Sequence, residues 1–324
     1  MLKVALIGLG HIGQTHVSAI SKTKGLELVA GCDNNKALAS VLPENIKFYN
    51  SYPELLIAGQ FDTVVVATSN STHYSIALDV LSAGYHVIIE KPAAKNTQEL
   101  NVIEQLAVKK KRHIFYALHA ASALEVNALA KHLSEKSKTY GNLTAFHCRF
   151  YDPYLDKNGK LTSNAESLGD CWSDSGVNAL SVIDCVLPVD QLHASFCRKS
   201  VNTNETNGIL STSVGFKFNV IKSDNSGFGL IDTAWDQAIN FKVTTLFFGN
   251  TGYCIEADHS NQKLTQWDSN GVSTELVRFE GNRLLNHYLG VFDDYQKKVY
   301  SNQTMNSIVA QRIHSKMFEG ANLL

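Results

Sequence analysis

The fold is decided near the start of the chain by the stretch Leu2-Lys3-Val4-Ala5-Leu6-Ile7-Gly8-Leu9-Gly10-His11-Ile12-Gly13. An apolar run ends there in the pattern Gly-x-Gly-x-x-Gly, and helical periodicity follows it over residues 12–22. The first glycine allows a tight turn, the second lets the backbone approach a pyrophosphate, and the third allows close helix packing. Free N–H groups at the helix N-terminus attract that anion. We therefore predict a dinucleotide-binding turn made by Gly8, Gly10, His11, Ile12 and Gly13.

A second apolar run ends in Gly31-Cys32-Asp33, and Asp33 comes 20 residues after Gly13. A carboxylate at this distance can accept hydrogen bonds from the adenosine ribose, so the context favours a cofactor site over an ordinary strand-helix turn. Asp33 would also repel a 2′-phosphate, which favours NAD over NADP. The next residues, 34–36, are Asn-Asn-Lys and could bind that phosphate if Asp33 turned away, so NADP stays an alternative.

Short apolar runs alternate with helical periods through the first 120 residues. This pattern is typical of a doubly wound α/β fold, in which helices cover both faces of a parallel sheet. The predicted strands after the first are Leu26–Cys32, Thr63–Ala67, His86–Ile89 and Ile114–Tyr116, and the predicted helices cover residues 12–22, 72–83 and 96–110.

The apolar period changes to two from about residue 139, as in residues 210–220. Turn sequences at 249–252 and 269–271 separate further strand-like runs and predict an antiparallel meander. Helical spacing between Leu285 and Val299 predicts a closing helix pair. We therefore expect a Rossmann domain at 1–121 and an α+β domain with a largely antiparallel open sheet at 122–324.

Charge and composition exclude several classes of protein. The 324 residues carry 29 Lys and Arg against 30 Asp and Glu, without the basic excess that nucleic-acid binding requires. No apolar run approaches the roughly 18 residues of a membrane-spanning helix. The six cysteines form no Cys-x-x-Cys pair, which disfavours metal sites and disulfides. With no signal-peptide pattern at the N-terminus, we expect a cytoplasmic protein with a small-molecule partner.

The strand His86–Ile89 runs directly into Glu90-Lys91-Pro92. Ligands of doubly wound sheets bind at the carboxyl ends of the strands, so Lys91 would lie beside the nicotinamide. Its amine could serve there as a general base. The alternative is a solvated loop lysine, and the position at a strand end favours the catalytic role.

Three segments resemble the glucose-fructose oxidoreductase and inositol dehydrogenase family, also called Gfo/Idh/MocA. They are Gly8 to Gly13, the loop Thr68-Ser69-Asn70-Ser71-Thr72-His73, and Gly84 to Pro92, in which Glu-Lys-Pro is the most specific mark. The resemblance implies that Lys91 is catalytic and that the cofactor site includes Thr68, Asn70, His73 and Glu90. It also implies that the second domain carries substrate residues and an oligomer interface, as in a homodimer or homotetramer.

The segment Ser173–Ser181 holds the catalytic candidates of the second domain. If it is helical, Asp174, Asn178 and Ser181 share one stripe. Many family members have histidine at the position of Asn178 and aspartate at that of Ser181, so the departure argues against an inositol dehydrogenase with a histidine relay. The segment is similar instead to the Asp-x-Gly-x-Asn-Ala-Leu-Ser pattern of the L-arabinose and D-galactose 1-dehydrogenase branch.

This branch implies an NAD(P)-dependent aldose 1-dehydrogenase that oxidises a pyranose such as D-galactose or L-arabinose to its lactone. Lys91 would remove the anomeric hydroxyl proton, while Asp174 and Asn178 hold the hydroxyls around C1. A helix N-cap is the alternative role for Asp174. Two rival functions stay open: a family dehydrogenase acting at another carbon of a sugar or cyclitol, and an NAD(P)-binding sensor without turnover.

Two further residues are candidates for contact with the sugar. His119 follows the last predicted strand of the first domain and could bond a hydroxyl, although such a histidine is often only a surface residue. Trp235 could stack on a sugar ring, although tryptophan in a strand is more often part of the core. The branch usually has an acidic residue on the strand around 143–150, and the sequence Phe146-His147-Cys148-Arg149 offers none. The identity of the sugar therefore stays open.

Overall fold

The computed structural model describes residues 1–162, 165, 168–201, 209–220, 225–301 and 305–323. The chain forms two units, one of Met1–His119 with Leu284–Gln311 and one of Ala120–Arg283 with Arg312–Leu324. The first unit is built on a parallel sheet and the second on a mostly antiparallel sheet. The α/β fold class predicted from the sequence is confirmed.

The sheet of the first unit has the strand order β3-β2-β1-β4-β5-β6, with every neighbouring pair parallel. The strand order reverses between β1 and β4, which opens a crevice at the carboxyl ends of these strands. The strands are β1 (Leu2–Ile7), β2 (Leu26–Cys32), β3 (Lys47–Tyr49), β4 (Thr63–Val66), β5 (His86–Glu90) and β6 (Ile114–Ala117).

Helices of this unit connect the parallel strands, as such connections require. Three of them match the predicted periods to within one residue or two, whereas β3 and the short second helix were not predicted, because three and seven residues show too few periods. The helices are α1 (His11–Lys22), α2 (Tyr52–Ala58), α3 (His73–Ser82) and α4 (Thr97–Lys110).

The sheet of the second unit has the order β14-β13-β12-β11-β7-β10-β9-β8. Its neighbouring strands are antiparallel except for β7 and β10, which run parallel. The predicted turns at 249–252 and 269–271 connect β11 to β12 and β13 to β14. The strands are β7 (Ala145–Pro153), β8 (His193–Val201), β9 (Ile209–Asn219), β10 (Ser226–Ala234), β11 (Asp236–Phe248), β12 (Tyr253–Asp258), β13 (Lys263–Trp267) and β14 (Ser273–Arg278).

Two helices of the second unit are α5 (Leu124–Tyr140) and α6 (Val177–Asp184). One π-helical turn at Trp172–Gly176 leads into α6. The predicted helix with Asn178 and Ser181 is present, but all its residues are buried, the polar stripe included. The Ser181 hydroxyl donates to the Asn178 carbonyl oxygen over 2.7 Å, which satisfies it inside the protein.

The last two helices are α7 (Arg283–Tyr300) and α8 (Ser307–Asn322). The sequence predicts one boundary near residue 121, with both closing helices in the second domain, whereas residues 284–311 belong to the first unit. α7 belongs to the first unit because its apolar stripe packs there. Tyr288, Phe292 and Tyr295 are buried in one core cluster with Leu6. Helical spacing predicts a buried face but not the surface that covers it. Across the described ranges, no helix combines the length and apolar character needed to cross a membrane.

Candidate active site

The glycine-rich turn joins β1 to α1 and is open on one side. Gly8 has φ +97°, and a Cβ on Gly13 would lie 2.1 Å from the Gly8 carbonyl oxygen, so both positions require glycine. A Cβ on Gly10 would meet no atom within 4 Å. Gly10 directly precedes α1, whose first turn has neither a side-chain cap nor an acidic residue. A pyrophosphate fits this position, because uncapped N–H groups and the helix dipole both attract an anion.

Asp33 follows β2 and is bonded to the glycine-rich turn. Its Oδ2 accepts the N–H of Leu9 at 2.8 Å, and its Oδ1 accepts the N–H of Asn35 at 2.9 Å. A carboxylate has about four acceptor positions, so these bonds leave capacity for ribose hydroxyls. The Leu9 bond holds the carboxylate toward the turn, which argues against the alternative in which Asp33 turns away for a 2′-phosphate.

The loop after β4 contains Thr68 and Asn70, and His73 begins α3 directly after it. The His73 side chain is buried, with Nδ1 2.9 Å from the Pro92 carbonyl oxygen and Nε2 3.0 Å from that of Thr68. Burial lowers the pKa of His73, and a neutral imidazole donates to one of these carbonyls at a time. The ring connects two loops at the same sheet edge, one of which carries Lys91, so His73 supports these loops rather than facing solvent.

Glu90 ends β5 and is bound on both carboxylate oxygens by protein groups. Its Oε1 accepts from Nε2 of His16 at 2.8 Å and from the Tyr288 hydroxyl at 2.7 Å, and its Oε2 accepts the Lys91 N–H at 3.2 Å. Burial raises the pKa of Glu90, but the hydrogen bonds from His16 and Tyr288 outweigh it and the pKa is lowered. Glu90 is therefore a buried carboxylate that supports the strand end carrying Lys91, with little surface left for direct cofactor contact.

His119 follows β6, at the same sheet edge as Lys91, and is buried. Its Nδ1 lies 3.2 Å from Nδ1 of His287 on α7, and the two rings stack with centroids 5.5 Å apart. One Nδ1 must donate and the other accept, so the two share a single proton. The sequence places His119 at this edge, but its pairing with a residue 168 positions away was not predicted.

Asp174 and Asn178 lie on successive turns in the second unit. The Asn178 side-chain amide donates to the Asp174 carbonyl oxygen at 3.2 Å. The capping carboxylate of this segment belongs to Asp170, whose Oδ1 accepts the N–H groups of Trp172 and Ser173, each at 2.8 Å. Asp174 therefore does not serve as the N-cap, the alternative that its sequence position allowed.

A buried polar cluster surrounds Asp174 and includes Asp152 at the end of β7. Asp152 Oδ1 accepts from the Lys242 ammonium and, at 2.7 Å, from the Asn240 amide. The Ser175 hydroxyl lies 3.1 Å from Asp152 Oδ2 and 3.4 Å from Asp174 Oδ2, so it can donate to either carboxylate. Burial lowers the pKa of Lys242, although the charge of Asp152 opposes this. The cluster combines two carboxylates with one ammonium, one amide and one hydroxyl.

Trp235 has no exposed surface. Its ring contacts Tyr154 edge-on at 5.3 Å and packs with Ala165 and Cys171 in a small core cluster. A fully buried ring offers no face to a sugar. The stacking role considered for Trp235 therefore gives way to the core role, because its side chain, between β10 and β11, is fully buried.

Comparison with known proteins places the first unit in a family. Residues 2–119 match the model of the Gfo/Idh/MocA family, described as an oxidoreductase family with an NAD-binding Rossmann fold. Residues 2–119 belong to the Gfo/Idh/MocA family. The glycine-rich turn, Asp33 and Lys91 all lie within the matched range.

Two of the relatives that match part of this chain are named as sugar dehydrogenases. D-glucoside 3-dehydrogenase of Escherichia coli K12 is 32% identical over 137 residues, which cover 41% of this chain and 39% of the relative. Glucose-6-phosphate 3-dehydrogenase of Bacillus subtilis 168 is 29% identical over 215 residues, which cover 63% of this chain and 59% of the relative. The chain thus spans less than two thirds of the length of either relative.

Solved structures extend the likeness of fold beyond the Gfo/Idh/MocA match. An oxidoreductase of Agrobacterium radiobacter, in complex with NAD+, L-tartaric acid and magnesium, has a TM-score of 0.80 over 99% of this chain and 96% of its own. Sequence identity to it is 16%, so the likeness concerns the fold alone.

Sequence reasoning missed several polar residues of these sites, among them His16, Asp152, Lys242 and Tyr288. The acid expected on the strand around 143–150 is offered by Asp152, two residues further along β7. The sequence did contain a signal for Asp152. Phe146, Cys148, Phe150 and Asp152 occupy every second position of β7, and all four are buried. No comparable local pattern marks His16, Tyr288 or Lys242, whose partners are distant in sequence.

The two units supply different chemistry. The first unit has an uncapped helix N-terminus at Gly10, the carboxylate of Asp33 and a lysine directly after β5. The second has a buried set of directional donors and acceptors suited to hydroxyl groups. In the part of the chain that the structure describes, no group of three or more His, Cys, Asp or Glu side chains could hold a metal ion.

Proposed function

We propose that this chain is an NAD-dependent dehydrogenase of an uncharged sugar or cyclitol, with Lys91 as the general base. The observation that carries the proposal is the position of Lys91, directly after β5 at the carboxyl edge of the parallel sheet. Gly10 follows β1 and Asp33 follows β2, so both lie at that same edge. A base here is near the crevice in which doubly wound sheets bind dinucleotides.

The glycine-rich turn and its neighbours would hold NAD. The backbone N–H groups at the start of α1, including those of His11 and Ile12, would bind the pyrophosphate, and Asp33 would bind the ribose. The loop with Thr68 and Asn70 would border the nicotinamide side. Bound NAD+ supplies a carbon that accepts a hydride. The bond from Leu9 to Asp33 favours NAD over NADP because it keeps the carboxylate at the ribose position.

The reaction requires the removal of one proton and one hydride from a carbinol. The Lys91 amine would accept the hydroxyl proton while the hydride leaves the same carbon, so a carbonyl compound, NADH and an ammonium result. Asp174 and Asn178 would orient the ring hydroxyls by directional hydrogen bonds. His119 would contribute a further contact from the first unit.

The charge of the cluster around Asp174 supports a neutral substrate. Asp152 and Asp174 carry two negative charges, and the cations Lys242 and Arg283 of the same unit offset them. Because the cations of this cluster are balanced by its own carboxylates, a phosphate or carboxylate substituent would bring an uncompensated charge into a site of low dielectric constant. Ring hydroxyls, in contrast, can both donate to the carboxylates and accept from amide and hydroxyl groups.

We propose C1 as the oxidised carbon, on the Asp-x-Gly-x-Asn pattern at Asp174 to Asn178, with a lactone of D-galactose or L-arabinose as the product. C3 is the second candidate, because D-glucoside 3-dehydrogenase and glucose-6-phosphate 3-dehydrogenase are named for it. The two carbons give products of different chemistry, a lactone and a ketose.

A substrate panel tests these proposals. Purified protein is incubated with NAD+ or NADP+ and free aldoses, methyl glycosides, myo-inositol, glucose 6-phosphate or glucuronate, and cofactor reduction is followed. Methyl glycosides lack a free anomeric hydroxyl, so their oxidation would exclude C1. Preference for the phosphorylated or acidic sugars would contradict the neutral-substrate proposal. NAD binding without turnover of any substrate would favour the rival function, an NAD(P)-binding sensor without enzymatic activity.

We also propose that the chain forms a homodimer or homotetramer through the second sheet. Phe196, Phe228 and Phe247 are each about two fifths exposed on its strands, and the first two stack at 6.2 Å. Covering such side chains is favourable in an assembly. Light scattering would measure the subunit count, and Phe228→Asp is expected to lower it. A monomeric wild-type chain would contradict this.

A further inference from the structure

Glu90 connects three elements of the first unit through one buried carboxylate. His16 on α1 and Tyr288 on α7 both donate to Oε1, and the Lys91 N–H donates to Oε2. His16 and Tyr288 have no exposed surface, Glu90 is 5% exposed, and the two rings lie 4.4 Å apart between centroids. The carboxylate therefore has a single orientation that packing and hydrogen bonds enforce together.

The Tyr288 hydroxyl is connected to the Lys91 peptide through the Glu90 carboxylate. Carboxylate oxygens have two lone pairs each, so His16 and Tyr288 together satisfy Oε1, and Oε2 is left to bond the Lys91 peptide. Charge-assisted hydrogen bonds of this kind are the strong ones, and low dielectric strengthens them further. Loss of one donor would loosen the carboxylate and, with it, the peptide that sets the direction of the Lys91 side chain.

We propose that Tyr288 is a positioning residue for Lys91: its hydroxyl holds the Glu90 carboxylate in one orientation, and Glu90 fixes the Lys91 backbone. The inference rests on the proposed function, in which Lys91 is the general base. The other titratable groups that act on Glu90 are His16 from α1, His73 from α3 and Lys91 itself.

The same helix offers a matched control in Tyr295. It lies two turns after Tyr288, is also fully buried, and its hydroxyl is 2.7 Å from that of Thr63. Thr63 begins β4, whereas Glu90 ends β5, and these strands are parallel. Tyr295 is therefore bonded at the sheet edge opposite to Lys91. Replacement of either tyrosine by phenylalanine removes one buried hydroxyl bond from α7 and keeps the ring.

The two variants are expected to behave differently in catalysis. Tyr288→Phe should lower kcat about tenfold and leave KM for NAD within about twofold, because a misplaced base slows the chemical step. The acid limb of its kcat profile, which reports protonation of the Lys91 base, should shift, because a displaced amine has different neighbours. Tyr295→Phe should change neither kcat nor the profile. Equal effects of the two variants, or an unmoved acid limb, would overturn the inference.

A second readout does not require turnover. Lysines are reductively methylated with ¹³C, and the Lys91 resonance is assigned by its loss in Lys91→Arg. This resonance is expected to move in Tyr288→Phe and in Glu90→Gln but not in Tyr295→Phe. An unmoved Lys91 signal in both of the first two variants would refute the positioning role. A wild-type chain that oxidises no ring alcohol would refute the proposed function instead, whatever the resonance does.

Discussion

The ammonium of Lys242 on β11 donates to the carboxylate of Asp152 on the neighbouring strand β7, and both side chains are buried. Removal of a charged group from water is costly, so each member of such a pair depends on the other for compensation. The pair lies beside Asp174, to which Ser175 connects it. It therefore links the stability of the second unit to its chemistry.

Breaking this pair should destabilise the protein strongly. Lys242→Met removes the ammonium that donates to the buried Asp152 carboxylate, and we expect a loss of about 3–5 kcal/mol in the free energy of unfolding. Urea denaturation measures it. The exposed pair of Lys297 and Asp293 is the control, because Lys297→Met should change little. The double variant Lys242→Met with Asp152→Leu should recover much of the loss, and failure to recover would show that the pair is needed for more than charge balance.

Lys91 is expected to dominate the rate of the chemical step. Lys91→Ala should lower kcat by about 10² to 10⁴, the usual range for a lost general base. Lys95→Ala, an exposed lysine on the same loop, is the matched control and should keep wild-type turnover. Steady-state kinetics with the best substrate measures both. Unchanged turnover in Lys91→Ala would be incompatible with the base role.

Asp33 should determine the choice of cofactor. Asp33→Ser removes the charge that repels a 2′-phosphate, and we expect the ratio of kcat/KM for NAD to that for NADP to fall about tenfold or more. Glu44→Ser, which removes an exposed carboxylate outside the segment 34–36, should leave the ratio close to wild type. A constant ratio in Asp33→Ser would mean that the carboxylate does not contact the ribose.

Two glycines of the turn are expected to have different roles, Gly10 in cofactor binding and Gly13 in stability. A Cβ on Gly10 meets no protein atom within 4 Å, so Gly10→Ala should fold normally and bind NAD at least about tenfold more weakly, because the methyl group occupies the approach to the pyrophosphate. Gly13→Ala places a Cβ 2.1 Å from the Gly8 carbonyl oxygen and should cost about 1–3 kcal/mol of stability. Calorimetric titration and thermal denaturation distinguish the two. Normal NAD affinity in Gly10→Ala would argue against a pyrophosphate at this position.

His86 should make stability depend on pH. Burial, with the nearby charges of His113 and Arg112, lowers the pKa of His86 from 6.5 to about 4. The unfolded chain binds this proton near pH 6.5 and the folded chain only near pH 4, so the stability is complete above the upper value and falls as pH drops between the two. Urea midpoints measured across this window should fall less steeply in His86→Gln. His193→Gln, an exposed histidine, should keep the wild-type slope, and equal slopes in all three proteins would contradict the assignment.

Local sequence patterns predicted most of the strands and helices of the first unit. The run from Leu2 to Gly13 specifies strand, turn and helix within twelve residues, and the spacing to Asp33 needs only one more strand. Parallel strands bring their carboxyl ends to one edge, so Lys91 and His119 could be placed there without coordinates. In the second unit, period two predicted the antiparallel meander but not the parallel pairing of β7 with β10.

The sequence by itself determined the Rossmann fold, the cofactor turn and the strand end that carries Lys91, because each depends on residues close together in the chain. Only the tertiary structure decided which distant groups meet: Tyr288 with Glu90 across 198 positions, and Lys242 with Asp152 across 90. It also decided that α7 belongs with the parallel sheet. The physical reason is that periodicity shows which face of an element is buried, whereas the partner of a buried polar group depends on how separate elements pack.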